Sequence, residues 1–126
     1  MLNKRKHTRL PIQIKAMVKV NQDEEYIIGK TKNVSFGGIC LSVVDSIAIK
    51  QGEECEVVLI LYEGTPPIGI EFKCKVVHNR DSDLGFKFIS INSEDYEHFK
   101  NLMVLNSSNP MMLLDELKKN PGILLS

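Results

Sequence analysis

The sequence predicts a mostly β fold of six or so antiparallel strands, closed into a barrel or a sandwich. Three observations favour this fold: β-prone segments follow one another at short intervals, no helical pattern separates most of them, and the clearest of them alternate apolar and polar residues. The chain has 126 residues, of which 43% are hydrophobic and 25% charged, and this composition is typical of one globular domain.

The first three strands are predicted from alternation with a period of two residues. Apolar side chains share one face over residues 12–20, and the polar run at 21–25 forms a turn. Residues 26–34 are β-prone and would pair antiparallel with the first strand. After two glycines at 37–38, a third strand alternates at Ile39, Leu41 and Val43.

The next three strands follow after short turns. Residues 55–62 are almost wholly apolar and predict the fourth strand, and the glycine and prolines of residues 63–67 form a turn. The fifth strand has the clearest alternation, at Ile68, Ile70, Phe72, Cys74 and Val76. A hairpin at 81–83 leads to the sixth strand, with Leu84, Phe86 and Phe88 on one face.

The pattern becomes helical after the sixth strand. Residues 92–95 have the polar and acidic composition of a helix start, and the apolar residues that follow predict a helix to about Leu105. These apolar residues are Tyr96, Phe99, Leu102 and Met103. A linker at 106–110 ends in a proline suited to a helix start, so residues 111–119 predict a second short helix before Pro121 and Gly122.

The predicted domain covers residues 1–106, and residues 107–126 form a C-terminal extension. The barrel does not explain the apolar residues of this extension, which are Met112, Leu113, Leu114 and Leu117. They need a partner surface, which is either the chain's own barrel or a second copy of the chain in a homodimer.

Charge is balanced in number but not in position. The chain has 16 basic and 16 acidic side chains, yet residues 1–32 contain eight basic and three acidic ones. We expect residues 1–11 to be a flexible, basic segment that an anionic partner meets first.

Since no apolar run is long enough for a membrane helix or a signal peptide, we expect a cytoplasmic location without membrane insertion. Cys40, Cys55 and Cys74 lack a CxxC pair and are expected to be reduced, mostly buried thiols.

No group of side chains predicts an enzyme, a metal site or a cofactor. His7, His78 and His98 lie in separate segments without metal-ligand spacing, and the chain contains no phosphate-binding P-loop and no nucleophile elbow. A barrel that binds single-stranded nucleic acid needs aromatic stacking platforms, and only Tyr26 and Phe36 are expected near the basic end. Nucleic-acid binding is therefore the weaker alternative.

Two separate segments carry the pattern that predicts a binding site. Arg5 and Arg9 are four residues apart in the basic segment, and their planar guanidinium groups suit phosphates, the guanine edge and purine faces. Asn33 and Ser35 end a predicted strand two residues apart, so their side chains project from the same face and can hold one ligand together. Arg9 precedes a strand and Ser35 ends one, so we expect that neither side chain is needed to support the core.

Gly37 and Gly38 follow these polar residues directly. We expect them to allow backbone conformations closed to other residues. They would also let a ligand approach the backbone without meeting a Cβ atom.

The order of these residues resembles the signature of the PilZ domain, a bacterial receptor for cyclic di-GMP. The pattern RxxxR, one strand, and then (D/N)xSxxG at the end of the next strand is present from Arg5 to Gly38 without a substitution, and it includes the additional Gly37 that the family often carries. The resemblance extends over about residues 4–105. It implies a six-stranded antiparallel PilZ-like β-barrel with a C-terminal helix, and the short helical tail lies outside it.

The resemblance also implies a role for each matching residue. Arg5 and Arg9 would reach over cyclic di-GMP, while Asn33 and Ser35 would hydrogen-bond one guanine next to Gly38. The domain would be a sensor that makes and breaks no bond, signals by ordering its N-terminal segment, and acts on a downstream protein partner. The alternatives are a PilZ-like interaction module with a weak or unused nucleotide site, and a small barrel that binds RNA or DNA.

Lys4 immediately precedes the first motif and bears on the number of nucleotides bound. PilZ-like domains with arginine at this position often take an intercalated pair of cyclic di-GMP molecules, whereas an apolar residue favours one. An ammonium group neutralises a phosphate but lacks the planar face and the fork of a guanidinium. We therefore expect one nucleotide per domain at low ligand concentration, with a weak second site.

Overall fold

The computed structural model describes residues 7–20, 26–43, 49–80 and 82–125. Its elements in chain order are β1 (Lys15–Val20), β2 (Tyr26–Val34), β3 (Gly38–Val43), β4 (Glu54–Tyr62), β5 (Ile68–Arg80), β6 (Asp83–Ile91), α1 (Ser93–Leu105), α2 (Pro110–Lys119) and β7 (Leu124–Leu125). The predicted turn at 21–25 and Asp81 of the predicted hairpin lie outside the described residues.

The six long strands form a closed antiparallel barrel. They are ordered β3-β2-β1-β4-β5-β6, and pairing of β3 with β6 closes the ring. The short strand β7 pairs in parallel with the outer part of β6, at Ser90 and Ile91. The mostly β prediction is confirmed, and of its two architectures the barrel is the one formed. Among the described helices, none is both long and apolar enough to cross a membrane.

Aromatic rings fill the barrel where α1 covers it. Phe72 and Phe88 stack with ring centroids 4.1 Å apart, and the ring of Phe99 on α1 stands edge-on to both of them and to Phe36. Such edge-to-face contacts orient the quadrupoles of the rings favourably. Phe36 is fully buried in this cluster, so it is not an exposed stacking platform for a base.

The first strand begins later than its alternation predicts. Ile12 is buried as expected, but regular pairing starts at Lys15. The side chain of Thr31 on β2 is inserted between β2 and the segment that precedes β1. The Thr31 hydroxyl donates to the carbonyl oxygen of Ile12 at 2.5 Å and accepts from the amide of Ile14 at 2.8 Å. A buried hydroxyl thus replaces two backbone partners, which alternation alone does not reveal.

The C-terminal extension packs against the chain's own barrel. Asn109 caps α2 by accepting from the amide of Met112, and the side chains of Leu113 and Leu117 are buried on one helix face. Ile123 is also buried, whereas Met112 is 46% exposed. Of the two partner surfaces expected for this extension, the barrel is therefore the one that covers its buried leucines.

The three cysteines are free thiols, as predicted. Cys55 and Cys74 are buried and face each other as cross-strand partners on β4 and β5, a proximity that their separation in sequence hides. Burial raises the pKa of Cys55 to about 12 and raises that of Cys74 strongly. Both thiols therefore stay protonated and unreactive near neutral pH.

Candidate functional site

A cleft of about 290 Å³ lies on the outside of the barrel, where the N-terminal segment crosses β2, β3 and β6. Five of the seven predicted site residues line it: Arg9, Asn33, Ser35, Gly37 and Gly38. The structure thus brings together two segments that are more than twenty residues apart in the chain. Lys4 and Arg5, the other two predicted site residues, lie outside the described residues.

The floor of the cleft is a row of cross-strand partners. Asn33 on β2 pairs with Cys40 on β3, Cys40 pairs with Gly85 on β6, and Gly85 pairs with His78 on β5. The ring of His78 lies over Gly85, where an added Cβ would be 2.1 Å from Cε1 of the histidine. The missing side chain of Gly85 thus makes room for the His78 ring at one end of the row, and the polar side chain of Asn33 lies at the other end.

Ser35 is more buried, and makes more hydrogen bonds within the protein, than its place at a strand end predicts. It is 7% exposed, and its hydroxyl accepts hydrogen bonds from the amides of Gly37 and Gly38, both at 3.1 Å. The same hydroxyl lies 3.2 Å from the carbonyl oxygen of Gly38, to which it can donate. Ser35 was expected not to be needed for the core, but the structure shows that it is buried and that its side chain holds the turn between β2 and β3.

Asn33 is presented to the cleft by an irregularity in β2. The pairing of β2 with β3 shifts register between Thr31 and Asn33, so Lys32 is the extra residue of a bulge. The Asn33 side chain is half-buried and makes no hydrogen bond to another described residue. Its amide group is therefore the polar group of the strand end that a ligand can engage without breaking a bond of the turn.

Gly37 and Gly38 have ordinary backbone conformations. The glycines with positive φ in the described part of the chain are Gly52 and Gly122, so the expectation of special conformations at 37 and 38 is wrong. What matters is the missing Cβ: at Gly38 it would lie 2.2 Å from the carbonyl oxygen of Phe86, so this glycine allows β3 to pair closely with β6. At Gly37 it would lie 2.8 Å from Nδ1 of His7.

Arg9 is held at the mouth of the cleft by its neighbour. Leu10 is buried and forms a pair of backbone hydrogen bonds with Val34 at the end of β2, of 2.8 and 2.9 Å. The side chain of Arg9 is exposed and lines the cleft. Leu10, which the sequence analysis places in the flexible segment, thus docks the start of the chain beside Asn33 and Ser35.

The cleft has a positive electrostatic character. Arg9 and Lys87 contribute cations, and no carboxylate lines the cleft among the described residues. Asp83 lies nearby but is 3.0 Å from the ammonium of Lys32, and this hydrogen bond raises the pKa of Lys32. Burial raises the pKa of Cys40 and the carboxylate of Asp83 adds to this, whereas the nearby cations of Lys32 and Arg9 act in the opposite direction. An anionic group such as a phosphate fits this environment.

Several side chains that line the cleft were not among the predicted site residues. Lys87 alternates with the buried Phe86 and Phe88, so its outward position could have been found from the same pattern. His78 could not, because a register shift between Val76 and His78 reverses the alternation of β5 and turns the histidine outward. His7, which the sequence analysis considered as a metal ligand and set aside, also lines the cleft.

Comparison with known proteins agrees with this architecture. The family model of the PilZ domain matches residues 3–105. No curated protein matches the chain.

Several solved structures resemble the fold at low sequence identity. The PilZ domain of CeSA from a cellulose-synthesising bacterium has a TM-score of 0.63 and 13% identity, and the match covers 79% of this chain and 99% of that domain. The PilZ domain of YcgR from Escherichia coli, solved with c-di-GMP, has a TM-score of 0.62 and 11% identity, with coverages of 94% and 98%.

The inhibitor of motility MotI (DgrA) from Bacillus subtilis is longer than this chain. Its TM-score is 0.61 at 18% identity, and the match covers 95% of this chain and 53% of that protein. At these identities the three structures establish a shared fold, while the function of this chain has to be argued from its own cleft.

Proposed function

This chain belongs to the PilZ domain family, and we propose that it is a receptor for cyclic di-GMP. One observation carries the proposal: Arg9, Asn33 and Ser35, from distant parts of the sequence, line one cation-rich cleft. The proposed ligand has two phosphates and two guanines, so it needs cations, planar hydrogen-bond partners and an open floor. The cleft offers each of these, and the similar domain of YcgR was solved with this ligand.

The proposed roles follow from the chemistry of each side chain. The guanidinium of Arg9 suits a bidentate contact with a phosphate or with the N7/O6 edge of guanine. The amide of Asn33 presents both a donor and an acceptor to a base edge. Lys87 would add charge from β6, and Arg5 would add a second fork from the N-terminal segment. The output would be an altered N-terminal segment that a protein partner recognises.

We further propose that one nucleotide binds per chain at low concentration, with Lys4 limiting the second. The physical reason is that an ammonium cannot stack or fork as a guanidinium does. Lys4→Arg is expected to strengthen the second site in a calorimetric titration. Two nucleotides bound by the natural chain in one sharp transition would contradict this reasoning.

The competing hypothesis is a protein-interaction module whose nucleotide site is weak or unused. The Ser35 hydroxyl favours it, since that group is already engaged by its own turn and has less capacity left for a guanine. The two hypotheses differ in affinity: a receptor binds cyclic di-GMP at micromolar concentration or tighter, and an interaction module does not.

Isothermal titration calorimetry separates these functions. We expect binding of cyclic di-GMP and no comparable binding of GTP or single-stranded oligonucleotides. Arg9→Ala should weaken binding by about 1–3 kcal/mol, the usual value of one bidentate base contact, with the melting temperature unchanged. Arg80→Ala is the matched control, because Arg80 is an exposed arginine that does not line the cleft. Equal affinity of the Arg9 variant and the natural protein would exclude the proposed site.

A further inference from the structure

The C-terminal extension contacts the segment that carries Arg9, although it lies outside the region matched by the family. The backbone amide of Thr8 donates to Oε1 of Glu116 on α2 at 2.6 Å, and the hydroxyl of Thr8 donates to Oε2 at 2.5 Å. Both carboxylate oxygens thus accept from one residue. Hydrogen bonds to a charged acceptor are stronger than those between neutral groups, so these two bonds hold Thr8 firmly on α2.

His7 makes a second contact between the same two parts of the chain. Its Nε2 is hydrogen-bonded to the carbonyl oxygen of Asn120, the C-cap residue directly after α2. The ring lies between two glycines: an added Cβ would be 2.8 Å from Nδ1 at Gly37 and 2.7 Å from Cε1 at Gly122. The imidazole therefore joins the turn that follows Ser35 to the C-terminal extension.

These contacts fix Arg9 on both sides. On one side Leu10 is bonded to Val34 of β2, and on the other side Thr8 is bonded to Glu116. The backbone of Arg9 cannot leave the cleft without breaking one of these pairs. A side chain held in this way loses less conformational entropy when it binds a ligand.

The helix that provides Glu116 is itself firmly placed. Leu113 and Leu117 are buried in the core, and Glu116 lies on the same side of α2 because it follows Leu113 by three residues. Asn120 is the C-cap residue of the same helix. The docked helix therefore also carries Glu116, which holds Thr8, and its C-cap residue supplies the carbonyl oxygen that holds His7.

We propose that Glu116 is a positioning residue for nucleotide binding, so that the C-terminal extension forms part of the nucleotide site. The inference rests on the proposed function, since it concerns the same cleft. Glu116 acts through Thr8: it keeps Arg9 in the arrangement that binds cyclic di-GMP. If only a fraction of the molecules has this arrangement, the apparent Kd equals the intrinsic Kd divided by that fraction. By linkage, the bound nucleotide holds α2 more tightly on the barrel.

The sign of the effect separates positioning from simple electrostatics. A carboxylate near an anionic ligand repels it, so removal of the charge alone would strengthen binding. Loss of a positioning contact weakens binding instead. Glu116→Ala removes both the charge and the two hydrogen bonds. Glu116→Gln removes the charge but keeps the contact, because the amide oxygen accepts from the Thr8 amide and the amide nitrogen donates to the Thr8 hydroxyl.

The test is a calorimetric titration of the full chain with cyclic di-GMP. We expect Glu116→Ala to raise the Kd about tenfold, as for a binding-competent fraction reduced to about one tenth. Glu116→Gln should stay within about twofold of the natural protein, since it keeps the geometry. Asp115→Ala is the matched control: it removes the same charge from the next residue, whose carboxylate pairs only with Lys119 at 3.0 Å among the described residues.

Equal or tighter binding by Glu116→Ala overturns the inference, and so does weakening by Glu116→Gln to the same extent. If the alanine variant does not fold, Thr8→Val decides, because it removes one of the two bonds from a residue outside the core. It should raise the Kd about threefold, and an unchanged Kd would reject the role of the contact.

Hydrogen exchange of the Thr8 amide without nucleotide distinguishes failure of this inference from failure of the proposed function. The amide should exchange faster in Glu116→Ala than in the natural protein, because its acceptor is lost. If the natural protein does not bind cyclic di-GMP, the proposed function fails, and the exchange result still shows whether Glu116 holds the segment. Unchanged exchange at Thr8 contradicts the positioning role independently of any ligand.

Discussion

The hydroxyl of Ser35 shows how one side chain serves both the turn and the cleft. It accepts from the amides of Gly37 and Gly38, so the turn has its hydrogen bonds without a ligand. Asn33, two residues earlier, has no such bond to another described residue and faces the same cleft. The two halves of the NxSxxG pattern therefore contribute differently, one to the shape of the site and the other to its contacts.

This difference predicts distinct outcomes for two alanine variants. Ser35→Ala is expected to lower the free energy of unfolding by about 1 kcal/mol, because it leaves two partly buried amides without their acceptor, and to weaken binding of cyclic di-GMP as well. Asn33→Ala should weaken binding while the melting temperature stays the same. Denaturation and calorimetry of both variants check this, and a Ser35 variant with unchanged stability would refute the role of the turn.

Cysteine reactivity reports on the cleft at the same scale. Cys40 is half-buried at the floor of the cleft, whereas Cys55 and Cys74 are buried with strongly raised pKa values. We expect one of the three thiols to react with a maleimide in the native protein and all three after denaturation. Burial raises the pKa of Cys40, so its rate should rise with pH and reach its midpoint above that of an exposed cysteine.

Bound cyclic di-GMP should slow this reaction, since it covers Cys40 and its phosphates disfavour the thiolate. Cys40→Ser is the control, because it should abolish native labelling. A rate that does not change at saturating nucleotide would place the ligand elsewhere on the molecule.

At the scale of elements, the sequence was sufficient wherever a strand is regular. Strand β3 buries the three apolar side chains that its alternation predicts, and α1 begins after its predicted cap, with the side chain of Asn92 accepting from the amide of Asp95 at 2.7 Å. Prediction failed where a side chain or a bulge interrupts pairing. Thr31 delays β1, and the shift before His78 turns that residue into the cleft. Two residues of β7 are too few to form a pattern.

Docking of α2 on the barrel is expected to contribute to the free energy of unfolding. Leu113 is fully buried, so Leu113→Ala should lower the free energy of unfolding by about 2–5 kcal/mol, the usual cost of a cavity at a buried leucine. Met111→Ala, two residues away and 78% exposed, should change it by less than about 0.5 kcal/mol. Urea denaturation of both variants tests this. Equal stability of the leucine variant and the natural protein would show that α2 does not dock as described.

For the whole molecule, closure of the barrel determines where the site forms. Pairing of β3 with β6 brings Cys40 beside Gly85, and α2 brings Glu116 to Thr8. Alternation predicts which face of a strand is buried but not which strands become neighbours, so the motif residues were predictable and their surroundings were not. The contact between the two ends of the chain had no sequence signal, because it joins residues 108 positions apart.

The same arrangement predicts the oligomeric state. Since Leu113 and Leu117 are buried against their own barrel, they are not available to a second copy. We expect light scattering to give the mass of one chain, 14.3 kDa. A mass of twice this value would contradict this expectation and would restore the homodimer.

The most direct test of the central claim is a titration of isotopically labelled protein with cyclic di-GMP, followed by nuclear magnetic resonance. The glycine amides serve as reporters: Gly37, Gly38 and Gly85 line the cleft, and Gly52 and Gly69 lie outside it. We predict that the three cleft signals shift and saturate at micromolar nucleotide, while the other two stay in place. Cleft signals that do not move at saturating cyclic di-GMP would contradict the account.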